Sequence, residues 1–329
     1  MKNPPFLLET VPAFMKSRVI LTGVELDLFT QIAKGVDSVD QLAEKNHLDT
    51  RALQRLLDAI VTFGLLTKQN QRYALTPDGS QLSTDHPETP VPMILHMNEL
   101  WDTWSHLTTA VRQGKNPDHI PVSEKDELAL NAFINAMHVI GRDLSLEITE
   151  DLDLSLYHKL LDIGGASGTY TIAFLKKNPD MTSVIFDLKP VLPMAEKRLA
   201  ACGILNRVEL VGGNFYTDPL PRGCDLVLLS AIIHQNSPTQ NIDLFHKISD
   251  AIEPGGTLMI RDHIMEENRT IPPAGAVFAL NMLVATPSGD TYTFREVRQG
   301  LESAGFSEIR QIRRGEKMDC IVTAQKAGT

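Results

Sequence analysis

The sequence predicts an α/β fold, a doubly wound, mostly parallel seven-stranded sheet preceded by a helical half that carries a winged helix. Three observations predict it. From Lys159 onward, short apolar runs alternate with amphipathic stretches, the grammar of a parallel sheet covered by helices. The first of those runs leads straight into a glycine turn, "LLDIGGASG". Before residue 115 the chain instead reads as helix, turn, helix and hairpin.

The helical half comes first. In "SVDQLAEKNHL" Ser38 is placed to cap a short helix. In "DTRALQRLLDAIVTFGLL" Asp49 precedes a helix whose Leu53, Leu56, Leu57 and Ile60 share one face, and Gly64 ends it. "LLTKQNQRYALTPDG" reads as a two-stranded wing that turns at Gln69–Gln71 and closes at Pro77-Asp78-Gly79. A winged helix raises duplex binding, but residues 1–90 hold nine Lys and Arg against eleven Asp and Glu. The second helix offers only Arg51 and Arg55, offset by Asp49 and Asp58. Phosphate contacts supply most non-specific affinity, so this half is expected to bind protein rather than nucleic acid.

"WDTWSHLTTAVRQGKNPDHIP" predicts an aromatic-bearing helix stopped near Gly114, and the Pro-containing "GKNPDHIPVSEKDE" reads as a linker. The expected domains are residues 1–115 and 116–329. A helix over Glu127–Glu150 leads into the sheet half. There "KLLDIG", "MTSVIFDL", "RVELVGGNF", "CDLVLLSAIIH" and "GGTLMIRDH" are the first five strands, with helices after the first, second and fourth. "YTFREVRQGLESAGF" is a late helix, and "SEIRQIRR" with "DCIVTAQK" forms a closing hairpin that brings one reversed strand.

The 329 residues are 43% hydrophobic and 22% charged, an ordinary globular composition long enough for two domains. A net charge of -10 argues against general affinity for nucleic acid or anionic membrane, since both need a basic face. Cys202, Cys224 and Cys320 are widely spaced, which predicts free thiols and no structural metal. "MKNPPFLLETVPAF" lacks the apolar core of a signal peptide. The longest apolar stretch, Ala274 to Ala285, is too short to cross a bilayer, which takes ~20 residues. A soluble cytoplasmic protein is expected.

The glycine turn lets a ligand approach the backbone at a helix N-terminus. Asp187 ends the second strand 19 residues beyond Gly168, where a carboxylate can bond ribose hydroxyls. Glycine turn plus acid is shared with dinucleotide dehydrogenases, but the order here is acid-x-Gly-x-x-x-Gly rather than GxGxxG. Asn214 and Phe215, in "GGNFYTDPLP", follow strand three with a polar group and a ring able to hold a purine. The fifth strand is entered through a Pro-Gly-Gly turn, and the chain ends in a helix and hairpin rather than in a second mononucleotide-binding half.

With these motifs the chain resembles the two-domain, S-adenosylmethionine-dependent O-methyltransferases, the group that includes caffeate, acetylserotonin and bacterial hydroxyl methyltransferases. The resemblance runs through "LLDIGGASG", "VIFDLKPV", "GNFYTDPLP", "LLSAIIH", "EPGGTLMIRD", "FALNMLVATPSGDTYT" and "LESAGF". It implies a class I methyltransferase domain with S-adenosylmethionine as cofactor. Gly164 would contact the methionine part, Asp187 the ribose, Asn214 and Phe215 the adenine, while Ser230 lies at a cofactor-contacting position. Asn214 stands where the family usually has Asp, and Ala166 where a glycine is common, a tolerable change if φ stays negative there. The resemblance also implies a homodimer through the N-terminal helices, whose Phe14, Val19, Leu26 and Phe29 are more apolar surface than so small a half buries alone.

"LVLLSAIIHQNSPTQN" runs apolar for seven of its first eight residues and turns polar at His234. One reading is a strand end meeting water. The other is a base delivered to the carboxyl edge of the sheet, where open α/β sheets bind ligands. The resemblance implies the second, with His234 as general base and Asp262 orienting its ring. It also exposes a departure, because Gln235 and Asn236 follow His234 where the family has Asp and Trp. A second acidic position falls on Thr291, with Asp290 beside it. Met97, Trp101, Phe133, Met137, Phe278 and Met282 offer an apolar wall for a flat or greasy substrate; Asn281, a polar residue among them, needs a partner, and the resemblance implies that it is used on the substrate. Two alternatives remain at this stage: the same fold acting on a carbon or nitrogen acceptor or no longer transferring methyl, and a winged-helix transcriptional regulator.

Overall fold

The computed structural model describes residues 5–118 and 127–328. The chain divides into two compact units, Met1–Trp101 and Asp102–Thr329. The first holds helices α1 (Pro5–Thr10), α2 (Ala13–Glu25), α3 (Leu28–Ala33), α4 (Val39–Asn46) and α5 (Thr50–Thr62), then strands β1 (Leu66–Gln69) and β2 (Arg72–Leu75), the short α6 (Pro77–Ser80) and most of α7 (Val91–Ser105). Local sequence explains the boundaries. Ser38 caps α4 reciprocally with Gln41, and Asp49 accepts from the Ala52 N–H at the start of α5.

Strands β1 and β2 pair antiparallel from Leu66↔Leu75 to Gln69↔Arg72, and Asn70 and Gln71 both turn with positive φ. That is the backbone twist a two-residue hairpin needs. Pro77-Asp78-Gly79 does not simply close the hairpin but opens α6, capped by Thr76. Gly79 is required there, because a Cβ would sit 1.8 Å from the Leu65 carbonyl oxygen. Leu53, Leu57 and Ile60 are buried, as the shared apolar face predicts, and Leu56 packs partly buried against them. Phe29 departs from expectation: it is buried in this unit's own core beside Leu28 and Leu57, while Phe14 is 52% exposed. The hydrophobic period alone does not say which of two apolar helix positions meets its own core.

The second unit contains α8 (Leu107–Gln113), α9 (Glu127–Glu150), β3 (Lys159–Ile163), α10 (Thr169–Lys177), β4 (Thr182–Asp187), α11 (Leu192–Ala201), β5 (Val208–Gly212), β6 (Leu226–Ser230), α12 (Pro238–Ala251) and β7 (Thr257–Asp262). It continues through β8 (Ile264–Met265), α13 (Pro273–Ala285), β9 (Tyr292–Thr293), α14 (Phe294–Ser303), β10 (Phe306–Arg313) and β11 (Cys320–Lys326). The division falls at Trp101 rather than near residue 115 because α8 packs on α13 of the second unit. Gly114 ends α8 with φ +77°, as expected. The reading of a linker falls mostly on residues 119–126, outside the described residues. Asn116, at its start, is buried and donates to the Val284 carbonyl at 2.9 Å.

The seven-stranded sheet has the order β10-β11-β7-β6-β3-β4-β5. β11 runs antiparallel to both its neighbours, the one reversed strand, and the other pairings are parallel. Along β6 the side chains alternate between two cores: Val227 and Leu229 pack with Ile163, Phe186 and Ile260, while Leu226 and Leu228 pack with Phe174, Met181 and Met259. Burial on both faces is why these strands read as unbroken apolar runs. The fourth strand of the sequence reading, "CDLVLLSAIIH", is shorter than expected. β6 stops at Ser230, Ala231 takes φ +58°, and Ile233–Gln235 forms a 3-10 turn. His234 therefore stands on a turn beyond the strand rather than at its end. Ile232 and Ile233 extended the apolar run because they are buried against the same core.

Candidate active site

The carboxyl ends of β3, β4, β5, β6 and β7 bring the motif residues to one edge of the sheet. After β3 the backbone turns through Gly164 (φ +68°), Ala166 (φ +45°) and Gly168 (φ +73°). The expectation that Ala166 keeps a negative φ is thus overturned. The turn demands the left-handed conformation there, which strains a residue with a Cβ by roughly 1–2 kcal/mol. At Gly164 a Cβ would stand 2.6 Å from Ile232 Cδ1 and 3.7 Å from Phe215 Cε1. The missing side chain lets the glycine turn, the turn after β6 and the Phe215 ring converge.

Asp187 ends β4 and is buried. Its Oδ2 accepts from the Ala166 N–H and its Oδ1 from the Leu188 N–H, both at 2.7 Å. Burial pushes this carboxyl above its usual range, opposed by those two N–H donors. Each oxygen keeps a lone-pair site for a further donor, which suits a vicinal diol. Sequence reasoning gave no role to Asp162, which is fully buried beneath the turn and pushed up to about 6 by desolvation. Thr171 Oγ1 donates to its Oδ2 at 2.7 Å, and Gly165 must lack a Cβ because one would meet Asp162 Cγ at 2.9 Å. On α9, His138 Nδ1 lies 2.8 Å from Thr169 Oγ1, which in turn pairs with Ser167 Oγ at 2.7 Å, so a helix before the sheet braces the glycine turn.

Beyond β5, Asn214 uses its side-chain oxygen to accept the Tyr216 N–H at 2.9 Å, which shapes the loop. Phe215 packs partly buried against the core, with the Tyr216 ring 4.5 Å from it. Ser230, the last residue of β6, accepts from Arg261 Nε at 2.8 Å. Arg261 is buried, donates also to the Met318 carbonyl, and lies over the Tyr170 ring at 4.9 Å. No sequence signal marked Arg261, because a single Arg in a strand names no partner. Together, Asp187 with open acceptor sites and a ring beside a side-chain-free glycine fit a nucleoside.

His234 and Asp262 meet as the sequence implied. Nδ1 of His234 lies 2.9 Å from both Asp262 oxygens, and the Asp262 carboxylate also accepts the His263 N–H at 2.8 Å. Burial alone would raise the Asp262 pKa, but the His234 ring, Arg261 and the His263 N–H together hold it below the usual carboxylate range. An ionised carboxylate only accepts, so the neutral His234 ring carries its proton on Nδ1 and has its lone pair on Nε2. The Phe278 ring stands edge-on to the imidazole at 4.9 Å.

His263 is buried, with its ring 5.1 Å from that of Phe278. Its Nδ1 accepts the Met318 N–H, and burial lowers its pKa to about 4. Asp290 meets His234 only through its backbone, whose N–H donates to the His234 carbonyl at 2.9 Å; its carboxylate faces Arg269. Thr291 is buried, and its carbonyl accepts from Arg269.

Asn236 belongs to a different support. Asn236 is fully buried: its Oδ1 accepts from Tyr216 Oη at 2.5 Å, its Nδ2 donates to Asn241 Oδ1 at 2.9 Å, and its carbonyl accepts from Tyr292 Oη. Asn241 Nδ2 then donates to the Ile233 carbonyl at 2.9 Å. The His234 turn is thereby satisfied through polar side chains where a buried backbone would otherwise be unpaired.

Met137 lies half-buried on α9, and Met282 is buried on α13. Asn281 accepts with its Oδ1 from the Trp104 indole N–H at 2.8 Å, a partner the sequence reading missed in favour of Trp101. Trp101 ends the first unit, with the Phe14 ring 6.3 Å away and the Arg18 guanidinium over its face at 5.7 Å.

Known proteins match the chain over most of its length. Residues 104–307 match the O-methyltransferase domain, and residues 8–85 the O-methyltransferase dimerisation domain. The tetracenomycin polyketide synthesis 8-O-methyl transferase of Streptomyces glaucescens is 28% identical over 321 residues, covering 94% of this chain and 93% of its own. The 3-hydroxy-5-methyl-1-naphthoate 3-O-methyltransferase of Streptomyces sahachiroi is 27% identical, covering 94% and 91%. Among solved structures, human N-acetylserotonin methyltransferase in complex with S-adenosylmethionine superposes with a TM-score of 0.85 at 24% identity, covering 98% of this chain and 97% of that one.

Proposed function

Because the chain belongs to the S-adenosylmethionine-dependent O-methyltransferase family, we propose that it methylates a hydroxyl of a small aromatic or polyketide-like molecule with His234 as general base. The observation that carries this reading is the paired contact of Asp262 with His234 Nδ1, which leaves Nε2 as the proton acceptor. Asp187 would hold the cofactor's ribose, Asn214 and Phe215 its adenine and Gly164 the methionine end, and Ser230 would be a further cofactor contact. When bound, the cofactor supplies a methyl group on a sulfonium, already a good leaving group.

What the chain adds is position and proton removal. His234 Nε2 takes the hydroxyl proton, and Asp262 stabilises the imidazolium that results. Phe278, Met137 and Met282 form the apolar wall that excludes water. Asn281, whose Oδ1 is held by the Trp104 indole, would touch the acceptor. Pairing into a homodimer is supported by the match of residues 8–85 and by exposed Leu7, Val11, Phe14 and Met15. Three free cysteines suit a reducing cytoplasm, and among the described residues no helix is long and apolar enough to cross a membrane. The acidic charge balance favours a small-molecule partner over nucleic acid.

The test starts from ligand co-purified with the protein, identified by mass spectrometry and offered back with S-adenosylmethionine. Methyl should appear on oxygen. His234→Ala should lower kcat by ~10²–10⁴ while S-adenosylhomocysteine affinity stays within about twofold. Full activity in that variant, or methyl found on carbon or nitrogen, would overturn the proposal.

A further inference from the structure

His234 rides on a short 3-10 turn, Ile233–Gln235, whose carbonyls reach donors on other elements. The Ile233 carbonyl accepts from Asn241 on α12 and the His234 carbonyl from the Asp290 N–H, both at 2.9 Å. The Asn236 carbonyl accepts from Tyr292 on β9. One of these supports continues past the turn. A backbone carbonyl only accepts, so the end of Asn241 that faces Ile233 is its amide nitrogen, and Asn241 Oδ1 faces Asn236. Asn236 then presents Nδ2 to Asn241 and Oδ1 to Tyr216, and the Tyr216 hydroxyl must donate. The direction of all three bonds is thus fixed from one carbonyl. Both amides are buried, Asn236 with no exposed surface.

The far end of this chain lies in the loop beyond β5. Tyr216 follows Phe215, whose ring is 4.5 Å from its own and stands against Gly164 at the glycine turn. Asn214 Oδ1 accepts the Tyr216 N–H, and Lys247 on α12 donates to the Phe215 and Asp218 carbonyls at 2.6 Å, so the loop backbone is held as well.

We propose that Tyr216 and Asn236 are positioning residues for His234: their hydrogen bond joins the loop that would seat the adenine to the turn that carries the base, so that a nucleoside bound at the loop steadies the imidazole. This rests on the cofactor and base assignments above and adds a link between them. Without the Tyr216 hydroxyl, Asn236 Oδ1 is a buried acceptor with no donor. The amide is then free to turn over, which sets oxygen against oxygen at Asn241 and loosens its hold on the Ile233 carbonyl. The link is reciprocal, because whatever steadies the turn also steadies the loop.

The experiment reads His234 directly and does not depend on methyl transfer. In protein labelled with 15N-histidine, the Nδ1 proton shared with Asp262 is identified by its loss in His234→Gln. Its exchange with water is measured by magnetic resonance without and with adenosine, a probe that lacks the amino-acid end of the cofactor. Adenosine should slow the exchange in the wild type. Tyr216→Phe removes one oxygen from a residue that is 44% exposed. There the exchange should be roughly threefold to tenfold faster, and adenosine should no longer alter it. Asn236→Ala should act alike, and adding Tyr216→Phe to it should change nothing further, because both remove the same bond; independent structural roles would add. If melting curves show Asn236→Ala unfolded, Tyr216→Phe decides alone. With an identified acceptor, Tyr216→Phe should lower kcat by a similar factor and change the KM for S-adenosylmethionine less.

Unchanged exchange in folded Tyr216→Phe, additive effects in the double variant, or bound adenosine without effect on the wild type overturns the proposal. Calorimetry that finds no adenosine binding would instead remove the adenine from the loop, and with it the link. A His234 proton that answers to Tyr216 and to adenosine in a protein that transfers no methyl would refute the enzyme reading and leave the link standing.

Discussion

His234 Nδ1 lies equidistant, at 2.9 Å, from the two carboxylate oxygens of Asp262, a residue with no exposed surface. The imidazole is held at one nitrogen by an acceptor that cannot donate, and so is poised at the other. Asp262→Asn breaks this logic, because an amide can offer N–H to Nδ1 and drive the proton onto Nε2. We expect kcat to fall by ~10²–10⁴ with the KM for S-adenosylmethionine nearly unchanged. Steady-state kinetics with a varied cofactor check this. A loss confined to KM would mean that Asp262 serves the cofactor instead.

Asp187→Ala should weaken S-adenosylhomocysteine at least tenfold, since hydrogen bonds to a charged group are worth ~1.5–3 kcal/mol. The same change frees the Ala166 N–H, so a drop in melting temperature should accompany it. Asp187→Asn, which keeps one acceptor oxygen, should fall between the two. Calorimetry that finds unchanged affinity in a folded Asp187→Ala would remove Asp187 from the site.

The buried Asp162 gives a stability prediction with a definite sign. Its folded pKa, raised to about 6 by desolvation, exceeds the ordinary carboxyl value of 3.8. The unfolded chain therefore binds fewer protons than the native one between those values, and this group's cost to folding grows as pH rises through that window. Below it the cost vanishes. Asp162→Asn should accordingly stabilise the protein at pH 7 by on the order of 2–3 kcal/mol, with the gain lost near pH 4. Denaturant unfolding at the two pH values tests it, and equal effects at both would contradict the assigned shift.

His263 and His138 act in the opposite direction. Burial lowers both to about 4, so the unfolded chain binds more protons as pH falls from 6.5, and native stability declines across that range. Replacing His263 with Asn should flatten the acid limb of the wild-type stability curve and leave its value above pH 7 comparatively little changed. An unaltered limb would show that His263 does not titrate on unfolding as stated.

Assembly is tested at the exposed N-terminal helices. Phe14→Glu combined with Met15→Glu places charge on surface that is 52% and 59% exposed in the single chain. Light scattering at micromolar concentration should find the wild type dimeric and the double variant shifted towards monomer. A wild-type monomer would refute the pairing.

Much of this protein was written locally. The alternation of strands and helices followed from hydrophobic period, and the glycine turn, Asp187, His234 and Asp262 were each visible as a residue type at a motif position. What only the tertiary structure decided is which side chains face one another across long sequence separations. Trp104 with Asn281, Arg261 with Ser230 and Tyr170, and the Tyr216–Asn236–Asn241 chain under the His234 turn left no periodic signal. Nor did the positive φ of Ala166 and Ala231, which the packing of neighbouring turns imposes on residues that would not choose it alone. Period and motif are properties of neighbours along the chain. Donor, acceptor and strain are settled by neighbours in space, and these set how His234 is held.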